Sequence, residues 1–253
     1  MAFETIISEI SKRGVATITF NRPDRGNALS ATMIDEIVTH LADLASNPEV
    51  RVLVIRANGK HFCGGADVGP KTDGPGPKYN IADLMVELDQ FPKPTVAVVQ
   101  GGAIGAGAGV TACCDVVYAL PDAFFSVPEV RLGIVPGGVV PVLERALGLR
   151  NLRRYALSGE RITGPESVRS GMAHELHASE NMEAAVDQIV DAFLLGAPGA
   201  QRITKHEIAE YNHESITGVR TKPRGAGHGI QTDEAREGIA AFKEKRKPNW
   251  YRG

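Results

Sequence analysis

Apolar residues along this chain recur at two spacings, and the change from one to the other marks out its elements. Val15-Ala16-Thr17-Ile18-Thr19-Phe20 is β-rich and ends at Asn21-Arg22-Pro23, a turn signal. Met33, Ile34, Ile37, Val38, Leu41 and Leu44 then recur at helical spacing. With Ser30 placed to cap and Pro48 beyond the end, they predict a helix to about residue 46. A strand is predicted over 50–56. Gly69-Pro70-Lys71-Thr72-Asp73-Gly74-Pro75-Gly76-Pro77 cannot hold regular structure and reads as a mobile loop, placed to act as a lid over a pocket. A helix over 81–91 stops before Pro92, and a strand over 95–99 follows. A short helix to about 113 and a strand over 115–119 complete the alternation.

Beyond about Gly148 the strand signal fades. Thr163-Gly164-Pro165-Glu166 has capping-box spacing, so the glutamate is expected to reach back to the amide at the helix start. Ser179 is expected to cap a helix carrying Met182, Val186, Ile189, Val190 and Phe193. Thr232-Asp233-Glu234 opens a last helix to about Lys247, with acids at its start and bases at its end as the helix dipole prefers. Alternating strands and helices followed by helices alone make an α/β pattern with a helical tail.

Two glycine-rich segments each follow a predicted strand. One is His61-Phe62-Cys63-Gly64-Gly65-Ala66-Asp67-Val68, the other Gly101-Gly102-Ala103-Ile104-Gly105-Ala106-Gly107-Ala108-Gly109. Small-residue turns at strand ends can each aim a backbone N–H at one shared point. Two such donors stabilise negative charge growing on a carbonyl oxygen. Small residues suit this because a substrate must come close to the backbone.

Together with Asn21-Arg22-Pro23-Asp24-Arg25-Gly26-Asn27-Ala28-Leu29 upstream and Pro128-Glu129-Val130-Arg131-Leu132-Gly133-Ile134-Val135-Pro136-Gly137-Gly138 downstream, these segments resemble the enoyl-CoA hydratase/isomerase (crotonase) family, from about Ile6 to Trp250. The resemblance implies an α/β fold, a crotonase-like spiral of ββα turns over 1–195 and a helical C-terminal region over 196–253 used in trimer contacts. It implies an acyl-CoA thioester substrate, with the coenzyme A carried as part of the substrate and no separate cofactor. It places the Ala66 and Ala106 amides on the thioester oxygen, Ala106 being the middle of Gly105-Ala106-Gly107. It matches Glu129, after Pro128, to the second catalytic glutamate. Arg22, Arg25, Ala28, Gly64, Gly65, Asp67, Val68, Gly105, Gly109 and Pro128 fall where the family binds substrate or CoA. Arg22 and Arg25 are the candidates for the phosphates. The lysine often found after the Asp-Val pair has no match, leaving Lys71, Lys243 or Lys245 as substitutes.

One position departs from the family. Typical hydratases carry their first glutamate two residues past the glycine turn; here, with Cys114-Asp115 fixing the register, that place holds Gly109. Two carboxylates can hold a water between them, whereas moving a double bond from position 3 to 2 needs one base and the oxyanion donors. The chemistry therefore leans to an isomerase. The resemblance leans to a hydratase, because hydratases of branched glutaconyl-type thioesters look similar here: a glycine for the first glutamate, Pro-Glu retained, and an ending like Lys245-Arg246-Lys247-Pro248-x-Trp250. Hydration of a 2-enoyl-CoA is the first expectation and isomerisation of a 3-enoyl-CoA the second. A non-catalytic acyl-CoA-binding protein is the alternative from another class.

Other chemistry is weaker. A dinucleotide turn would use Gly105-x-Gly107, but Val110 stands at its third glycine position, leaving Glu129 as the acid at about the right distance. His174 and His177 are three apart with no third ligand nearby, so surface histidines are expected and no metal site. Cys63 reads as small-residue packing rather than a nucleophile served by His61. Lysine plus arginine number 28 against 30 acids, a net charge of −2, so no basic field attracts nucleic acid. The 253 residues, 43% hydrophobic and 23% charged, suit a globular domain with a sizeable core. Three cysteines, Cys113 and Cys114 adjacent, fit a reducing cytoplasm. No signal peptide and no membrane span are expected from the opening residues or from any apolar run.

Overall fold

The protein was analysed as a computed structural model that describes residues 3–68, 78–196, 198–210 and 233–246. The expected loop over 69–77, with Lys71, lies outside the described residues, as do Lys247, Pro248 and Trp250.

Chain order is β1 (Ile6–Ile10), β2 (Val15–Phe20), α1 (Ala31–Ser46), β3 (Val52–Ala57), α2 (Ile81–Asp89), β4 (Thr95–Val99), β5 (Gly102–Ile104) and α3 (Ala106–Ala112). Then come β6 (Val116–Ala119), β7 (Phe124–Ser126), α4 (Val140–Ser158), β8 (Arg161–Thr163), α5 (Gly164–Ser170), β9 (Glu175–Leu176), α6 (Ser179–Leu195), α7 (Pro198–Glu210) and, last, α8 (Asp233–Lys243). A six-stranded sheet runs β1-β2-β3-β4-β6-β9, and a three-stranded one runs β5-β7-β8. Among the described residues, only the β1–β2 pair is antiparallel in the large sheet.

Parallel strands need cover on both faces, and the period-2 alternation supplies it. Ile18, Phe20, Leu53, Ile55, Ala97 and Val99 face the main core shared with α1 and α2. Val52, Val54, Val96, Val98 and Tyr118 face the other way, onto Met182, Val186 and Val190 of α6. The six apolar positions expected to define α1 are all buried, and Ser30 Oγ accepts the Met33 amide at 3.2 Å. Asp115 fixes where β6 begins beside β4: its carboxylate accepts the Thr95 amide and hydroxyl, and its own amide donates to Thr95 Oγ1.

Several expectations are corrected. Glu166 does not close a capping box; it accepts from the Tyr155 hydroxyl and pairs with Arg169, and no side chain caps α5. Ser179 is the first residue of α6, after Ala178, and does not cap it. The capping box belongs to α2, where Asn80 Oδ1 accepts the Ala82 and Asp83 amides and Asp83 returns to the Asn80 amide. Strands continue past residue 148, as β8 and β9. They are two or three residues long, too short for a periodic signal.

The loop between β2 and α1 is set by one buried polar side chain. Asn27 is fully buried, with φ 55°. Its Nδ2 donates to the carbonyls of Asn58 and His61 at 2.8 Å each, and its Oδ1 accepts the Arg22 amide at 2.8 Å. These hydrogen bonds tie the loop to itself and to the segment that follows β3, and asparagine tolerates the left-handed backbone. Asn27→Ala leaves three partly buried backbone groups without this partner and strains φ. A loss of about 2–4 kcal/mol in urea unfolding is expected. A loss below about 1 kcal/mol would show that the loop holds its shape without this side chain.

Candidate active site

Three segments meet beyond the strand ends. The Phe62 amide donates to the Gln100 carbonyl at 2.9 Å, Cys63 to Gly102 at 3.1 Å, and Ile104 back to Cys63 at 2.9 Å. On the other side Leu29 donates to Gly65 at 2.8 Å, Asp67 to Leu29 at 3.0 Å, and Gly64 to Gly26 at 2.8 Å. The middle segment is thus stitched between two neighbours by backbone alone. The fit is close: a Cβ on Gly107 would stand 2.6 Å from the Cys63 carbonyl oxygen and 3.0 Å from its Sγ.

That stitching leaves particular amides over. Among the described residues neither Ala66 nor Ala106 donates to a backbone acceptor. Ala106 opens α3, and the first amides of a helix have no partner within it. Gly105, at φ 55° and ψ −116°, makes the turn into α3 in a conformation suited to glycine. A Cβ on Gly65 would lie 4.0 Å from the Ala106 nitrogen, so the two turns abut.

Glu129 arrives from a different direction. β7 pairs parallel to β5, bringing Ser126 beside Ile104, and the Gly105 amide donates to the Ser126 carbonyl at 2.8 Å. After Pro128 a single 3-10 turn, Glu129–Leu132, points the carboxylate at Gly105, where a Cβ would stand 2.6 Å from Oε1. Arg131 anchors this turn by donating from Nε and Nη2 to the Ser158 carbonyl at 3.0 and 2.9 Å. Gly238 of α8 packs on the Leu132 backbone. Oε2 is buried and has no hydrogen-bond partner among the described residues. Burial pushes the Glu129 carboxyl up from 4.5 to about 7, against a smaller opposing pull from its own backbone amide. Its carboxylate beside Gly105 would repel a pyrophosphate at this turn, which speaks against the dinucleotide alternative.

The other expected residues divide. Gly64, Gly65, Asp67 and Val68 lie in the stitched segment, Gly105 directly before α3, Gly109 on it, and Pro128 directly before Glu129. Arg22 is already engaged: it donates to the Ala28 carbonyl and pairs with Asp67 at 3.0 Å. Arg25 is 72% exposed and only loosely near Asp24, at 3.8 Å. Lys243 and Lys245 lie at and just beyond the end of α8. Asn27, which orders this loop, is not marked by the sequence, which shows a turn residue and not its partners.

Cys63 is buried, its thiol pushed up to about 12 by desolvation. His61 Nδ1 accepts the Gly102 amide at 3.0 Å, and burial holds its pKa down, so it acts as a backbone acceptor rather than a base for the thiol. His174 Nδ1 accepts the Val117 amide at 3.0 Å, and His177 packs edge-on against Tyr118. Two grooves of about 370 Å³ lie elsewhere, one along β2, β3 and α6, the other beside Asp115 and Lys205; Glu129 lines neither. No helix among the described residues is long and apolar enough to cross a membrane.

Comparison with known proteins agrees with this geometry. Residues 10–253 match the family model described as enoyl-CoA hydratase/isomerase. The 2,3-dehydroadipyl-CoA hydratase of Escherichia coli is 30% identical over 98% of both chains. A probable enoyl-CoA hydratase of Mycobacterium bovis is 29% identical over 99% of both. The crystal structure of an enoyl-CoA hydratase from Mycobacterium avium subsp. paratuberculosis superposes with TM-score 0.85 at 28% identity, covering 99% of this chain and 100% of that one. The chain belongs to the enoyl-CoA hydratase/isomerase family and has its crotonase fold.

Proposed function

We propose that this enzyme adds water to a 2-enoyl-CoA thioester, with Glu129 as the one proton carrier. The buried carboxylate with a free Oε2 beside the unpartnered start of α3 is the observation that carries this reading. The Ala66 and Ala106 amides receive the thioester oxygen. Water attacks C3, its proton passes to Glu129, and the C2–C3 π electrons move toward the carbonyl to form an enolate held by the two amides. Glu129 then returns the proton to C2. A pKa of about 7 suits a group that must take and give a proton in one cycle. The preorganised amides are each worth about 3 kcal/mol to the developing oxyanion.

The relatives' names support hydration as the first reading. Isomerisation is the second, favoured by the absence of a carboxylate at Gly109: Glu129 would take a proton from C2 of a 3-enoyl thioester and deliver it to C4. Branched or glutaconyl-type acyl groups remain the proposed substrate class. Gly64, Gly65, Asp67, Val68, Gly105, Gly109, Ala28 and Pro128 shape the pocket. Arg25, with its guanidinium exposed, is the better placed of the two arginines for CoA phosphates, since Arg22 is held by Ala28 and Asp67. The proposed setting is the cytoplasm. The proposed assembly is a homotrimer or hexamer built through the C-terminal region, where Ile203, Ile208 and Phe242 are exposed.

Glu129→Gln is expected to cut turnover of 2-enoyl-CoA about a thousandfold while leaving CoA-thioester affinity within a few-fold. Gain of one water, read by mass spectrometry, marks hydration, and bond migration without mass change marks the second reading. Retained turnover in the variant would remove Glu129 from the mechanism.

The unprotonated carboxylate starts the cycle, so kcat/KM should fall about tenfold per pH unit below a midpoint near 7. The sign for stability follows from the same shift. A carboxyl raised in the folded state favours folding below its ordinary value and loses that contribution as pH rises through about 7. Glu129→Gln should therefore be more stable than wild type by about 1–3 kcal/mol at pH 9, the gap closing toward pH 4.5. A gap that does not change with pH would mean that the carboxyl titrates as if in water.

Light scattering after size exclusion should give three or six times the chain mass, and Phe242→Glu should lower it. A monomer in the wild type would reject the assembly.

A further inference from the structure

Gly105, just before α3, and Gly109, within it, are four residues apart, the Gly109 amide donating to the Gly105 carbonyl at 3.1 Å. Glu129 lies against the first. Against the second lie Val139 and Met85. A Cβ on Gly109 would stand 2.6 Å from Val139 Cγ1 and 2.9 Å from Met85 Sδ, closer than packed carbon atoms come. These two neighbours have little room to yield. Both are core residues, Val139 2% exposed and Met85 1%. Val139 directly precedes α4, its carbonyl accepting the Leu143 amide at 3.1 Å. Met85 belongs to α2, with the Cys113 thiol 3.6 Å from its sulfur.

We propose that Val139 is a specificity-determining residue of this site: with Met85 it fills the seat beside Glu129 on α3, keeps a second carboxylate out, and walls the acyl pocket there with hydrocarbon. The inference rests on the acyl-CoA reading above. A polar substituent placed against this wall would lose its water and find no partner, whereas a carbon chain loses nothing. The wall also sets size. Beside the carbons that exchange protons with Glu129, the two methyl groups of Val139 decide whether a branch at C3 fits. Glycine at position 109 is then a consequence of Val139 rather than an independent loss, and replacing it alone restores nothing.

The test compares kcat/KM for crotonyl-CoA and 3-methylcrotonyl-CoA in wild type, Val139→Ala, Val139→Thr and Met85→Ala. The ratio of the two substrates does not depend on how much of each variant is folded. Val139→Ala is expected to change the branched-to-linear ratio about tenfold or more, the usual worth of one or two carbons in a pocket. Val139→Thr keeps the volume and adds a hydroxyl, so it should lower both rates and leave the ratio within about twofold. The seat has its own readout in melting temperature. Gly109→Ala should lose about 5 °C or more, and Val139→Ala in the same chain should recover most of the loss. Active wild type with an unchanged ratio in both Val139→Ala and Met85→Ala overturns this inference alone. Losses that merely add in the Gly109 and Val139 double variant overturn the seat. Wild type that turns over no thioester overturns the acyl-CoA reading and this inference with it.

Discussion

The site depends on two stretches of backbone lying close enough to hydrogen-bond to each other outside any long strand. Phe62, Cys63 and Ile104 make that pairing with Gln100, Gly102 and Cys63, and it exists because β3 and β4 deliver the two segments side by side. The separation is set by Gly107, whose missing side chain lets the Cys63 carbonyl and thiol pack against α3. Any larger residue there would force the two turns apart, and the Ala66 and Ala106 amides with them. The sheet that makes this possible is buried on both faces. Its position is therefore fixed by hydrophobic packing far from the chemistry.

Glu129 shows which of two opposed electrostatic effects dominates. A carboxylate at a helix start gains from the dipole by about 0.3–1 kcal/mol, which would lower its pKa. Its desolvation acts the other way and is larger, so the group is raised to about 7. α3 has only seven residues, and Glu129 reaches it from the side at Gly105 rather than as a capping residue. A carboxyl that is half protonated near neutral pH with one oxygen unpartnered is costly to keep. Structures retain such a group where it exchanges protons.

Much of this was legible in the sequence because the signals were long or chemically specific. The helical spacing from Met33 to Leu44 runs over more than three turns and located α1 to within a residue of its start. Glu129 and the two glycine turns came from the four motifs in order, which bring together residues that no periodicity could. The short strands β5, β7, β8 and β9 were not legible, since two or three residues cannot display an alternation. The capping errors have a similar cause. Thr163 and Ser179 carry suitable side chains, but whether such a chain caps depends on competing partners: Tyr155 and Arg169 take Glu166. The occupant of the Gly109 seat was out of reach for a plainer reason. Val139 is thirty residues away in the sequence, and only the packing of α2 and α4 on α3 brings it and Met85 there.

Arg22 illustrates how a charge that looks free in sequence is committed in the fold. An arginine in a loop beside a binding site is a natural phosphate ligand, yet here one nitrogen meets the Ala28 carbonyl and another the Asp67 carboxylate. The pair is partly exposed, with side chains at 20% and 30%, so its contribution to stability is small, about 1 kcal/mol or less. Its effect on position is larger than its energy suggests. Asp67 directly follows Ala66, and its own amide is held by the Leu29 carbonyl, so backbone and side chain both fasten that residue to the loop carrying Arg22 and Asn27. An amide donor stabilises an oxyanion only if it need not reorganise when the charge appears. On the proposed mechanism, the loop from Arg22 to Leu29 would serve catalysis by holding the turn at Ala66 still, and phosphate binding would fall to Arg25, which the fold leaves exposed.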